Sequence, residues 1–231
     1  MKKFELTTEQ KINWFGRTLY RIKACISFTT TSGDEVKAGD LGGFVEKESN
    51  LSHDGKAWVC GDAEVCGDAK VCGDAEVCGD AKVWGNAEVC GDAKVWGNAE
   101  VWGNAEVCGD ASVFSTEHIF CVTPIGEYAN SMTLFRTKHL EIKISFEYEL
   151  YSVEEFKKVL DEWDDTKNRE VALAVLEIGQ KHIDLTPAVD EYEPCPFCGG
   201  EAEYNADSDV VVCTKCCASA DKKIWNSRVD D

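Results

Sequence analysis

The chain has 231 residues, of which 44% are hydrophobic and 13 are cysteine, and it carries a formal net charge of −19. That apolar fraction sets aside a disordered chain and supports a folded core. The charge is +1 over residues 1–56, −8 over 57–116, and −6 over each of 117–185 and 186–231; so acidic a surface repels phosphate backbones, which sets aside direct nucleic-acid binding and favours a basic protein groove as partner.

The N-terminal "MKKFELTTEQ" has two lysines but no apolar run behind them, so neither a signal peptide nor a membrane anchor is expected. A location in the cytoplasm, and no membrane partner, follow as expectations. There, many cysteines point to metal ligands or to reduced thiols packed as small apolar side chains, rather than to a disulfide framework. Residues 1–50 read as an N-terminal β cap: "KINWFGRTLYRIKACISF" alternates apolar and polar residues around a turn at Phe15, Gly16 and Arg17.

Residues 51–116 are a repeat. Ten hexads over residues 57–116 follow the frame Ala-x-Val-(Cys/Trp)-Gly-(Asp/Asn), preceded by the weaker "LSHDGK". Six is no helical period, and a glycine in every hexad would cost a helix about 1 kcal/mol each time. Val at a fixed phase between Gly-Asp or Gly-Asn pairs predicts very short strands joined by tight corners.

This frame resembles the hexapeptide-repeat family, which implies a mainly β fold: a left-handed parallel β-helix with three hexads per coil. On that coil Val and Ala point inward, and Gly61-Asp62 or Gly85-Asn86 turn corners where left-handed backbone angles are tolerated. The outward charges then stack as Glu64-Lys82-Glu100, Glu76-Lys94 and Lys70-Glu88-Glu106. The Cys/Trp position sorts onto three faces: Cys66, Trp84 and Trp102; Cys60, Cys78, Trp96 and Phe114; and Cys72, Cys90 and Cys108 beside the corner row Asp74, Asp92, Asp110. The cysteines read as flat-face packing residues, with a thiol ladder that binds metal or oxidises as the alternative. The Asp row reads as solvated, with a calcium-type site as its alternative. Trp84, Trp102, Trp96, Phe114 and Cys66 form the candidate partner or oligomer interface. The resemblance also raises trimers, hence a homo-oligomer (dimer or trimer), and acyltransferases that use a loop histidine. The hexads themselves hold neither an insertion nor a histidine. His53 and His118, at the two ends, read as capping residues, so no catalytic residue is assigned. The lead-in "KAGDLGGFVEKESNLSHDGKAWV" resembles that of phage and prophage hexapeptide-repeat proteins.

Residues 117–185 read as an α+β C-terminal cap with strands in "MTLFRTKHLEIKISFEYEL". Ser152 and Glu155 have capping-box spacing and open a helix with the apolar face Phe156, Val159, Leu160 and Trp163. A second helix, about 168–183, carries Val171, Leu173, Val175, Leu176 and Ile178.

Residues 186–231 read as an acidic linker and a zinc ribbon. Two Cys-x-x-Cys pairs, Cys195 with Cys198 and Cys213 with Cys216, can converge four thiolates on a structural Zn²⁺ that supplies folding free energy to so small a module. Cys217 is a spare. The wording "PCPFCGG" and "WNSR" resembles the Lar family of prophage restriction-alleviation proteins over the C-terminal stretch that begins at Pro194, implying modulation of host restriction.

The expected function is a non-enzymatic phage or prophage binding protein that counters a host nucleic-acid-targeting defence enzyme, restriction or CRISPR type, with an acidic DNA mimic in a basic groove as one route. The alternatives are a structural or assembly protein oligomerising through its aromatic faces, and a nucleotide-sequestering or acyltransferase-like β-helix.

Overall fold

The computed structural model describes residues 2–187, 202–205, 210–213 and 215–221. The chain divides into two compact units, residues 1–137 with 141–183, and residues 184–231 with 138–140.

The first unit is a β-solenoid of about four turns with a cap at each end. Its strands are the Val-centred dipeptides of the repeat: β6 (Trp58–Val59), β7 (Glu64–Val65), β8 (Lys70–Val71), β9 (Glu76–Val77), β10 (Lys82–Val83), β11 (Glu88–Val89), β12 (Lys94–Val95), β13 (Glu100–Val101), β14 (Glu106–Val107) and β15 (Ser112–Val113). They stack as three parallel faces, β7-β10-β13, β8-β11-β14 and β6-β9-β12-β15. Partners lie one coil of three hexads apart, as in Lys82 opposite Glu64 and Glu100, so the expected coil length holds.

The chemistry of each hexad position explains the coil. Every repeat Val and Ala lies in one continuous core, 0–1% exposed, where burying a Val is worth roughly 1.5–3 kcal/mol. Each corner glycine takes a left-handed angle, for instance φ 67° at Gly91. Its corner stacks on the next, with Asp92 N–H donating to Gly109 O at 2.9 Å.

The solenoid starts earlier than the hexad frame indicates. Strands β1 (Phe4–Ile12), β2 (Thr18–Ala24), β3 (Phe28–Thr29), β4 (Glu35–Val36) and β5 (Leu41–Val45) precede β6. Of these, β5 already pairs in parallel with β7. Val45 faces Val65 and Leu51 faces Val71, both over a longer span than the three-hexad coil that sets Val59 against Val77. Two extra residues between Leu51 and Trp58 therefore hide the first coil from a strict period of six. The antiparallel hairpin β1–β2, with its turn at residues 13–17 as expected, extends the β5 edge. Buried Lys3 closes this end, its Nζ donating to the Ala57 carbonyl at 2.7 Å and to that of Gly55 at 3.2 Å. Burial lowers its pKa from 10.5 to about 8.

At the other end β16 (Ile119–Ile125), β17 (Asn130–Arg136), β18 (Ile142–Phe146) and β19 (Glu149–Ser152) form an antiparallel sheet in sequence order. Arg136, fully buried, donates from Nη1 to Ser112 O at 3.2 Å and lies 4.9 Å from the Phe114 ring centroid, joining cap to last coil. Helix α1 (Val153–Asp161) opens on the expected Ser152/Glu155 capping box. In helix α2 (Thr166–His182) the expected apolar residues divide: Leu176 faces inward with Ala172 and Gly179, while Val171 and Ile178 are exposed. Close approach decides this, since a Cβ on Gly179 would meet Leu134 Cδ2 at 2.7 Å. Among the described residues no helix is long and apolar enough to cross a membrane.

In the second unit β20 (Ala202–Asn205), β21 (Val210–Cys213) and β22 (Ser219–Asp221) form an antiparallel meander.

Candidate functional site

The β7-β10-β13 face carries two outward columns, Glu64/Lys82/Glu100 and, next but one along each strand, Cys66/Trp84/Trp102. In the charged column Lys11 bridges to Glu64 at 2.9 Å, and Lys82 lies 3.9 Å from Glu100. The corners Asp62, Asp80 and Asn98 border the same shallow groove.

The aromatic column is only partly open. Cys66 is 3% exposed, packed with Leu19 and Phe44 and contacted by Asn13 Nδ2 at 3.5 Å. Burial pushes its thiol pKa up. Cys66 is therefore core beneath the hairpin rather than outward interface, a correction that follows from the hairpin folding over the first repeat. Trp84 is half-buried against Phe15, with centroids 5.6 Å apart, and Trp102 remains 57% exposed. On the neighbouring face Trp96 and Phe114 stack at 4.6 Å and are half-buried; His118 and Arg136 hold Phe114 in place.

The hairpin turn extends this patch: Ile12 is 73% exposed, Trp14 94% and Phe15 55%. The alternation around residues 15–17 marks the turn but not its outward aromatic surface. The available signal was the composition of "NWFGR", two large aromatics where a turn usually carries small polar residues. Beyond Trp102 the patch runs into a cleft of about 270 Å³ lined by Glu100, Ile119, Phe120, Cys121 and His182 among others.

The histidines sit in the caps, as expected. His53 stacks on Phe4, accepts from Lys3 N–H at 3.2 Å and lies 2.8 Å from Glu48. His118 is 2% exposed and accepts from Phe114 N–H at 3.3 Å.

The cysteine columns depart from the uniformly reduced state expected of them. Cys60 and Cys78, in register on successive coils with Cα atoms 4.6 Å apart, form a disulfide. Stacking in register brings like positions within bonding reach. Cys72, Cys90 and Cys108 occupy the equivalent register on another face, with Cys72 N–H donating to Val89 O and Cys90 N–H to Val107 O. The thiols shift one another: Cys90 is pushed up to about 12, chiefly by Cys108 beside it, and Cys72 is raised, chiefly by Cys90. Cys108 is lowered, chiefly by Cys90 beside it. Asp74, in the acidic corner row, accepts from Lys56 N–H at 2.9 Å. Among the described residues no three His, Cys, Asp or Glu side chains converge on a metal position.

Of the expected zinc ligands, Cys195 and Cys198 lie outside the described residues, whereas Cys213 and Cys216 occupy a turn closing β21. Cys213 Sγ accepts from Lys215 N–H at 3.3 Å and from Cys216 N–H at 3.4 Å. Cys217 takes φ 60° and donates its N–H to Cys213 O at 3.0 Å. Backbone donors aimed at sulfur suit a thiolate, so this half of the donor set fits a metal-bound knuckle.

No protein-family model matches the chain, and no curated protein matches it.

Proposed function

We propose that the chain is a non-enzymatic binding protein that docks the β7-β10-β13 face on a basic groove of a nucleic-acid-handling enzyme. The observation that carries this reading is the exposed or half-exposed aromatic surface Trp14–Phe15–Trp84–Trp102 running beside a carboxylate-rich column and corner row. Exposed aromatics supply the anchoring contacts of protein interfaces. Flanking carboxylates steer a basic partner and make its capture sensitive to salt. The resemblances of the lead-in and of the C-terminal stretch from Pro194 point the target class to host defence, a restriction or CRISPR-type nuclease in the cell the chain acts in. The left hand of the solenoid, and a structural Zn²⁺ held by Cys195, Cys198, Cys213 and Cys216, belong to the same proposal. The zinc would fix the ribbon's fold.

A second reading is favoured by Trp14 and Trp102, whose exposure suits burial against another copy of the chain. Light scattering separates the two. A monodisperse monomer favours the foreign partner, and a dimer or trimer dispersed by Trp14→Ser plus Trp102→Ser favours assembly.

The docking reading is tested by titrating the purified chain into DNA cleavage by a type I restriction enzyme and by a DNA-cleaving CRISPR effector. Inhibition of one of them, weakened by salt and by Trp14→Ser plus Trp102→Ser, is expected. Uninhibited cleavage by both, with no complex on a sizing column, would sink the reading.

A further inference from the structure

We propose that Cys72, Cys90 and Cys108 form a redox-active thiol relay that reacts with small cationic or neutral disulfides. The geometry starts from the solenoid register. β8, β11 and β14 pair residue for residue on successive coils, so the three cysteines that follow them stack in one line up the face. Their backbone ladder is the one that joins Cys60 to Cys78: Cys60 N–H donates to Val77 O at 2.9 Å, Cys72 N–H to Val89 O at 3.0 Å, and Cys90 N–H to Val107 O at 2.9 Å. The oxidised pair demonstrates that this register permits a bond between successive coils without displacing the strands. Cys90 has such a neighbour both above and below, and one sulfur can bond only one of them.

The column therefore holds three thiols and room for one disulfide, in either of two positions. Thiol–disulfide exchange proceeds by attack of a thiolate on one sulfur as the other leaves, and it is fastest when the three sulfurs are collinear. Stacked coils set the three cysteine backbones in such a line. The side chains are partly exposed, so a small reagent has access.

Polarity assigns the roles. Cys108 is held below its ordinary value, chiefly by Cys90 beside it, whereas the Cys72 and Cys90 thiols are raised, which makes Cys108 the most acidic thiol of the three. Cys108 thiolate attacks a disulfide RSSR, forming Cys108–S–S–R and releasing RS⁻, which takes up a proton as RSH. Cys90 then loses its proton to solvent and attacks the Cys108 sulfur, expelling the second RS⁻. The net change is two cysteine thiols oxidised and one RSSR reduced to two RSH. Cys72 can next attack Cys90 as its thiol proton passes to the leaving Cys108 thiolate, giving Cys72–S–S–Cys90 with no net oxidation. Glu88, whose Oε1 lies 3.6 Å from Cys72 Sγ, and Glu106, bonded to Ser145, flank the line beside the Asp74, Asp92 and Asp110 corners. That field repels anionic disulfides and attracts cationic ones.

The test uses the full chain with cystamine, hydroxyethyl disulfide or oxidised glutathione, followed by acid quench, alkylation, tryptic digestion at Lys70, Lys82 and Lys94, and fragment mapping. In the wild type, loss of two alkylatable thiols and two links, Cys90–Cys108 and Cys72–Cys90, never both in one molecule, are expected. Cystamine should react several-fold faster than oxidised glutathione. Cys90→Ser should abolish both links and leave a persistent cystamine adduct on Cys108; Cys72→Ser should leave Cys90–Cys108 alone. Retention of the Cys60–Cys78 link reports that each variant keeps the solenoid register. Absence of both links in the wild type, or turnover of the Cys108 adduct in a folded Cys90→Ser variant at the wild-type rate, would overturn the relay.

Discussion

A pair of corner substitutions probes how the coils stack. Gly91 and Gly103 both sit in the left-handed region, at φ 67° and 71°, so alanine at either costs roughly 1–2 kcal/mol from backbone strain alone. Their surroundings differ. A Cβ on Gly91 would lie 2.8 Å from Gly109 N and 3.2 Å from its Cα and O, backbone atoms that cannot rotate aside. On Gly103 it would meet nothing within 4 Å, because no corner follows in that row. Relieving the Gly91 clash must open the coil spacing and stretch the Asp92 N–H to Gly109 O bond. Losing that bond, between an exposed and a half-buried residue, adds about 0.5–1.5 kcal/mol. Gly91→Ala should therefore cost roughly 1.5–3.5 kcal/mol in all, against the strain term alone for Gly103→Ala. Urea unfolding followed by far-ultraviolet circular dichroism and tryptophan fluorescence reads the difference. Equal losses for the two variants, or a larger loss for Gly103→Ala, would refute the stacking geometry.

Three further outcomes follow from the same structure. The Lys3 pKa falls from 10.5 to about 8 on folding, so the unfolded chain binds more protons between those values and stability should rise as pH increases from about 8 to about 10.5; below 8 both states are protonated and the penalty is constant. Lys3→Met should flatten that rise in denaturation midpoints measured at pH 7.5, 9 and 10. Ser152→Ala removes the α1 cap and should cost about 0.5–2 kcal/mol in urea titrations, with the solenoid's spectroscopic signature unchanged. The purified chain should carry one zinc by elemental analysis; Cys213→Ser should abolish the stoichiometric metal and leave the Cys60–Cys78 link intact, whereas a metal-free wild type would remove the ribbon proposal.

How much was legible follows from how each feature is encoded. The repeat writes its phase ten times, so the inward Val and Ala, the corner glycines and the three outward columns could be read before any coordinates. The first coil could not: two extra residues after Leu51 break the frame, and only the pairing of Val45 with Val65 reveals it. Cys66 was misplaced because its burial comes from a hairpin distant in sequence, and the same fold turns Trp14 and Phe15 into surface that periodicity cannot mark. The Cys60–Cys78 bond has the spacing of any in-register pair, and the compartment argument pointed away from it. In α2 the inner face sets small residues, Ala172 and Gly179, beside the apolar Leu176, and close approach of Leu134 requires the glycine. The two Cys-x-x-Cys pairs are legible from spacing alone, whereas the backbone N–H groups of Lys215 and Cys216 aimed at Cys213 Sγ come from the turn after β21.

The docking account is tested most directly in cells. Bacteria carrying a type I restriction system or a DNA-cleaving CRISPR system, and expressing the chain, are challenged with phage whose DNA that system attacks. Plating should rise toward the defence-free level under at least one system with the wild-type chain, and fall back with Trp14→Ser plus Trp102→Ser at equal soluble expression. Plating unchanged by the well-expressed wild type under both systems would contradict the account.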